Sequence, residues 1–296
     1  MPCTSPLPAF TLAGGGISFR ETGDVIGDVK IPCGQCLSCR LARASAWSLR
    51  MMHEASLHES NCFLTLTYDD VHLPTNGSLH YPDIQAFLKR VRKRTNKNLR
   101  YFLCGEYGEQ LSRPHYHICL FGHNFTDLAP VTKTLSNSII YESPTLKSLW
   151  PLGLHSIGKL TKQSAGYTAR YCIKKITGPN SASHYSRTDP NTGEQYLLEP
   201  EFCRMSTRPA IGKLWYLKHQ ADVHNYDYLI HDGRKHPVPK YYDKLLQRTT
   251  SAATLGELKA QREHKALPHK HDQSPERLAV KAEVLRAKTR NLKRLT

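Results

Sequence analysis

The chain has 296 residues, room for one large domain or two small ones, and 41 Lys and Arg against 25 Asp and Glu give it a formal charge of +16 with histidine neutral. The charged fraction is an ordinary 22%, so the surplus comes from scarce acids, and such a chain is expected to meet a polyanion, with nucleic acid first. Fifteen tyrosines, eight phenylalanines and three tryptophans spread along the chain argue against wholesale disorder. No apolar run approaches the ~18 residues of a membrane helix. The chain has nine cysteines, an odd number, and an N-terminus that lacks the basic flank of a secretory signal, and together they predict a soluble protein of a reducing cytosol.

Residues 1–30 are rich in Gly and Pro and read as an arm with one strand. Residues 31–60 hold Cys33, Cys36 and Cys39 and then a helix, in which Leu41, Ala44, Trp47 or Ser48, Met51 and Ala55 recur at helical spacing. A core is expected over residues 61–178. It opens with a strand at 62–68, where Phe63, Thr65 and Thr67 alternate against Leu64, Leu66 and Tyr68. A helix over 82–93 follows, with Ile84, Phe87, Leu88 and Val91 on one side and Lys89, Arg90, Arg92 and Lys93 on the other. Strands at 99–107 and 116–121 flank a turn and pair antiparallel. A weaker strand covers 154–160, and a helix over 162–176 is closed by Gly178 and Pro179. Residues 179–248 form an extension without an assigned role, loop-like over 181–191, and 249–296 are a basic tail in which Leu278, Leu285, Leu292 and Leu295 allow a helix. The fold expected is α+β: a mainly antiparallel sheet carrying two histidines on a central strand, with helices packed against it.

Those histidines are His115 and His117. On a strand they share a face, ~7 Å apart, so both imidazoles can converge on one metal ion. His269 and His271 have the same spacing in a polar segment and read as solvated. Glu106 ends the preceding strand, and a hairpin returns the two histidines beside it, making a site of two imidazoles and one carboxylate; Glu109, in the turn, is the competing ligand. Such donors suit zinc, iron, manganese or magnesium. On the helix over 162–176, Tyr167 and Tyr171 stand four apart on one face, with Lys174 a turn beyond. A phenol of pKa ~10 is about one part in a thousand ionised at neutral pH, so a tyrosine nucleophile needs a cation or a metal-polarised electrophile nearby.

Cys33, Cys36 and Cys39 can hold a structural zinc with a fourth ligand such as Cys3, Cys62 or His53, or pack as small core residues. Residues 153–160 (GLHSIGKL) come close to a phosphate-binding loop but carry Leu160 where Ser or Thr is required, so no helicase motor is expected.

The His-x-His strand, the upstream strand FLTLTY and the downstream Tyr-x-x-x-Tyr-x-x-Lys helix resemble the three ordered motifs of the HUH endonucleases. Two tyrosines four apart resemble the replication initiators of small single-stranded DNA phages. The runs CGQC-LSC and ASAWSLRMMHEA look most like the initiators of gokushovirus-type microviruses. The motifs span residues 31–178. The resemblance implies an HUH endonuclease-like fold and an origin-specific nick by transesterification that initiates rolling-circle replication. Glu106, His115 and His117 would bind Mg2+ or Mn2+ on the scissile phosphate. Tyr171 would attack to leave a 5′-phosphotyrosine and a free 3′-hydroxyl, Tyr167 would cut the regenerated origin, and Lys174 would steady the phosphate; Arg170 stands where the pattern often has lysine. Partners implied are single-stranded or supercoiled viral DNA at the origin and a host helicase and polymerase, in a bacterial cytoplasm and away from membranes. Lys89, Arg90, Arg92 and Lys93 are candidate DNA contacts, joined by Arg286, Lys288, Arg290, Lys293 and Arg294 of the tail. An HUH relaxase or transposase has the same chemistry, and a non-catalytic zinc-stabilised nucleic-acid-binding protein is the remaining alternative.

Overall fold

The computed structural model describes residues 3–108, 111–134, 137–171, 181–189 and 192–290. By their contacts these fall into two units: Ala44–Tyr242, and a second made of Met1–Arg43 with Asp243–Thr296.

In the second unit, β1 (Leu7–Leu12), β2 (Ile17–Ser18) and β3 (Val25–Ile31) form an antiparallel sheet in the order β2-β1-β3, where the sequence predicted an arm with a single strand. The glycine run is the reason: Gly15 and Gly16 take φ of +84° and +95°, which lets the chain reverse tightly between β1 and β2. Helix α1 (Leu37–Ala55) starts after the cysteine run and reaches into the first unit, where Ala44, Ser48, Met51 and Ala55 of the predicted stripe are buried.

The first unit is organised by β4 (Asn61–Tyr68). Its even positions, Cys62, Leu64, Leu66 and Tyr68, are almost fully buried, while Phe63, Thr65 and Thr67 stay half-buried on the other face, as the alternation predicts. Helix α2 (Tyr81–Thr95), β5 (Arg100–Tyr107) and β6 (Pro114–Phe121) follow in the expected places. Then come β7 (Ala129–Lys133), β8 (Ile139–Glu142), α3 (Pro144–Leu149), β9 (Gly153–Lys159) and α4 (Lys162–Tyr171). Next are α5 (Ser181–Tyr185), β10 (Ser186–Thr188), β11 (Gln195–Leu197) and β12 (Phe202–Met205). Part of the 181–191 segment read as a loop is therefore helix and hairpin. The unit closes with α6 (Lys213–Tyr226), β13 (Leu229–His231), β14 (Arg234–His236) and the start of α7 (Lys240–Leu246). In the second unit, α8 (Ala252–Ala266) and α9 (Pro275–Thr289) form the tail, with Leu278 and Leu285 buried and the other two predicted leucines outside the described residues.

Seven strands make one antiparallel sheet, ordered β12-β5-β6-β4-β9-β8-β7. The histidine strand β6 is thus interior, between β5 and β4. Residues 179–248 contribute its edge strand β12, and residues 153–159, the near-match to a phosphate loop, are strand β9 paired along β4. On one face Leu64, Leu66, Ile118 and Leu120 pack with Phe87 and Val91 of α2 and Leu146 of α3. On the other, Ala44 and Met51 of α1 and Ala165 and Ala169 of α4 cover Cys119 and Phe121. Each large apolar side chain so buried contributes about 1.5–3 kcal/mol. Two alanines a turn apart let α4 lie close to the sheet. Its start is fixed by reciprocal bonds, Thr161 N–H to Ser164 Oγ (2.9 Å) and Ser164 N–H to Thr161 Oγ1 (3.2 Å). Ser48 Oγ ties it to α1 by donating to Lys162 O at 2.9 Å. Among the described residues no helix is long and apolar enough to cross a membrane.

Two buried polar groups fix α1 in this unit. Glu54, with no exposure, pairs with Arg100 of β5 and accepts the Gly212 N–H at 2.8 Å; Gly212 has φ +76°, and a Cβ there would fall 2.7 Å from the Tyr242 hydroxyl. Removing one partner of such a pair strands the other charge, so Glu54→Ala should lower the unfolding free energy in urea by about 3–5 kcal/mol. His53 stacks on Trp215 at 3.5 Å between ring centroids and bonds Tyr242 at 2.8 Å. Burial, with positive charge from His231 and His219, lowers its pKa to about 3. The unfolded chain takes up this proton near the ordinary 6.5, so stability present above that pH is lost as pH falls from 6.5 toward 3. His53→Phe should remove that component, on the order of 5 kcal/mol across the window, in unfolding curves measured against pH.

Candidate active site

The register of three strands assembles the site. Glu106 of β5 lies opposite His115 of β6, while Thr67 and Thr65 of β4 lie opposite His115 and His117. Period-two alternation puts all five side chains on the face beneath α1 and α4. Each imidazole is held at its inner nitrogen: His117 Nδ1 is 3.1 Å from Thr65 Oγ1, and His115 Nδ1 is 3.0 Å from Thr67 Oγ1. Such contacts orient a ring and leave Nε2 as its outward donor or acceptor. His117 Nε2 lies 2.8 Å from Glu106 Oε1, and both residues are buried.

Helix α4 lays Tyr167 and Tyr171 over this pair, their ring centroids 4.8 Å apart. Tyr171 lies nearly parallel to the His117 ring (5.4 Å, 17°), as does Phe63 (5.7 Å, 7°), while Tyr167 meets that ring edge-on with its hydroxyl 3.5 Å from Nε2. Tyr171 is 2% exposed, whereas Tyr167 is half-buried. Burial, then the charge of Glu106 and a hydrogen bond to it, pushes the Tyr171 phenol well above its ordinary pKa. Arg170 sits 5.8 Å from the Tyr167 ring, its own pKa lowered by burial and supported by Tyr171.

Glu106 and His117 are therefore brought together with both tyrosines. His115 shares the face but turns its ring toward Gly108, where an added Cβ would fall 2.7 Å from Nε2. An octahedral ion with bonds of ~2.1 Å spaces neighbouring donors by ~3 Å, so the Glu106–His117 pair suits one edge of a divalent-cation site. Among the described residues, however, the one set of three or more Cys, His or acidic ligand atoms within 4.8 Å of one another is Cys3, Cys33, Cys36 and Cys39. That cluster can hold a metal such as zinc. It joins the three predicted cysteines to Cys3; Cys62 is instead buried in the sheet and His53 is engaged by Trp215 and Tyr242. Burial opposes ionisation of Cys36, but hydrogen bonds from Thr4 and Cys39 bring its thiol down to about 6. Lys174 and Glu109 lie outside the described residues, as do Lys293 and Arg294.

The basic helix is elsewhere. Lys89, Arg90, Arg92 and Lys93 are on α2, across the sheet from the tyrosines. Arg90 Nε donates to Leu149 O at 2.8 Å and Arg92 Nη2 to Leu99 O at 3.1 Å, which leaves Lys89, Lys93 and Arg94 as its exposed basic side chains. His269 and His271 are exposed, as expected of solvated residues. Thr65, Thr67, Phe63 and Gly108 escaped the sequence reading as site residues. The alternation of β4 already set the first three on one face, but only the register aims them at the histidines.

The arrangement defines an α+β protein with a His, carboxylate and paired-tyrosine site on one sheet face. A family model, the replication-associated protein ORF2/G2P, matches residues 61–176, the stretch that holds that site. The chain is 31% identical over 253 residues to the replication-associated protein VP4 of Bdellovibrio phage phiMH2K, covering 82% of this chain and 76% of that one. It is 31% identical over 274 residues to the replication-associated protein ORF2 of Spiroplasma virus 4 (84% and 81% covered). It is 27% identical over 253 residues to the replication-associated protein ORF4 of Chlamydia phage 1 (79% and 60%). No solved structure matches it. The chain belongs to the replication-associated protein ORF2/G2P family.

Gly108→Ala tests the one close approach in the site. The methyl group forces the His115 ring to move, so its imidazole resonances should shift while those of His117 stay, with the thermal midpoint within a few degrees of the parent. An unmoved His115 would contradict the packing described.

Proposed function

We propose that this protein is an HUH-type nicking and strand-transfer enzyme that initiates rolling-circle replication of a small single-stranded DNA phage in the bacterial cytoplasm. The observation that carries the reading is the pair of tyrosines on α4 set over the Glu106–His117 pair. Family membership supports the replication role, and the site supports the chemistry.

A tyrosine oxygen attacks the scissile phosphorus, an O–P bond forms, the P–O3′ bond breaks, and the 3′-oxygen leaves with a proton. The product is a 5′-phosphotyrosine beside a primer end for a host polymerase. Glu106, hydrogen-bonded to Tyr171, would accept its phenol proton. The same carboxylate disfavours the phenolate, so Tyr171 at rest is a guarded nucleophile. Mg2+ or Mn2+ held by Glu106, His117 and His115 would supply the compensating charge and screen the phosphate. Thr65 and Thr67 keep the imidazoles in orientation. Tyr167, more exposed and beside Arg170, would make the second cut, and Lys174 would steady the phosphate. Lys89 and Lys93 would add salt-sensitive phosphate contacts away from the reacting atoms. With residues 153–159 in a strand, unwinding falls to a separate host helicase.

The test incubates the protein with labelled single-stranded circular phage DNA, with Mn2+ or with chelator, and resolves the products on a denaturing gel. A metal-dependent covalent adduct is expected, reduced at least ~100-fold in Tyr171→Phe and absent in the Tyr167→Phe/Tyr171→Phe double variant, with DNA binding retained. Binding without an adduct across several DNAs and metals would overturn the enzymatic reading in favour of a binding protein.

A further inference from the structure

Residues 3–36 of the second unit fold around almost nothing. Ala9 is their one buried apolar side chain, while Leu7, Ile17, Phe19 and Ile26 are 42–69% exposed. A three-stranded sheet with so little core needs another source of stability, and small elements of this kind draw it from disulfides or metals. The cysteines here are free thiols. Four of them, Cys3, Cys33, Cys36 and Cys39, nevertheless bring all their sulfurs within 4.8 Å of one another.

We propose that Cys3, Cys33, Cys36 and Cys39 form a tetrahedral structural zinc site that clasps the N-terminal sheet to the start of α1. The spacing fits one ion. Zinc–thiolate bonds of ~2.3 Å in a tetrahedron set the sulfurs ~3.8 Å apart, and Cys3 Sγ lies 3.6 Å from Cys33 Sγ and 3.7 Å from Cys36 Sγ. Sulfurs so close leave no room for an iron–sulfur cluster with bridging sulfides. Four soft thiolates also exclude magnesium, manganese and calcium. The backbone is shaped to stabilise thiolates: Cys33 N–H donates to Cys3 Sγ and Cys36 N–H to Cys33 Sγ, each at 3.3 Å. Gly34, with φ +75°, makes the turn between Cys33 and Cys36 that this second bond requires. Binding therefore closes the chain between residues 3 and 33 and substitutes for the missing apolar core. Its four donors are separate from Glu106, His115 and His117, so failure of the nicking assay leaves this proposal standing, and the reverse.

The experiment measures metal in the purified full-length protein by inductively coupled plasma mass spectrometry. About one zinc per chain is expected, released in step with modification of four thiols by a mercurial. Cobalt substituted for the zinc should give the charge-transfer and red d–d absorption of a tetrahedral all-thiolate site. Cys3→Ser and Cys39→Ser should each weaken zinc binding at least ~10-fold, while Cys62→Ser and Cys203→Ser keep it. Where the serine variants fail to fold, hydrogen exchange on the parent protein decides: stripping the metal should speed exchange in residues 3–36 and leave β4, β5 and β6 protected. Stoichiometric iron, disulfides among the four cysteines, a metal-free protein with all four thiols reduced, or an unchanged zinc affinity in Cys3→Ser would each overturn the proposal.

Discussion

The antiparallel register of β5, β6 and β4 is the constraint on which the site depends. It sets Glu106 opposite His115 and both threonines opposite the histidines, so ring orientation, the His117–Glu106 contact and the surface offered to α4 follow from backbone pairing. A slip of one residue on β6 would send both histidines to the face held by α2 and bring Tyr116, Ile118 and Leu120 under the tyrosines. The fully buried Leu64, Leu66, Ile118 and Leu120 make that slip prohibitive. The hydrophobic core on one face of the sheet thereby holds the polar chemistry of the other.

On that polar face, burial and charge act against one another. His117 and Glu106 are removed from water yet bonded to each other, and Tyr171 is sealed beside them with its phenol made harder to ionise. In the proposed reading, a phenol so restrained suits an enzyme that must cut at one place and time. In the proposed mechanism, a divalent cation held by Glu106 and the histidines would supply the positive charge that offsets Glu106 and eases loss of the phenol proton. Tyr167 feels the same imidazole but is more open, so two phenols one turn apart meet different environments.

The second unit follows a different logic. The first is stabilised by two apolar layers around a seven-stranded sheet; the N-terminal sheet has one buried alanine and several exposed apolar side chains. The sulfurs of four cysteines converge where a core would otherwise be needed, and residues nearly the whole length of that sheet apart in sequence meet there.

Much of this was written in local pattern. Alternation over 62–68 and 116–121, helical spacing over 82–93 and 162–171 and the His-x-His pair each sit inside one element, where periodicity alone decides which side chain faces inward. Glu106 was legible too, since a short hairpin leaves few ways to return the histidines beside it. Long-range pairing was not. Cys3 as the fourth thiol, β12 as the sheet edge and the strands at 7–31 and 129–142 depend on partners distant in sequence or on turns set by glycine. Arg90 and Arg92 read only as basic residues of a helix face, and in the structure each also donates to a carbonyl, of Leu149 and Leu99, because a solvated guanidinium and one bonded to a neighbouring loop have the same sequence. The sequence by itself determined which residues share a strand face or a helix face, since those periods belong to the local backbone. The tertiary structure alone decided which faces meet, because register and packing are settled by burial across the whole sheet.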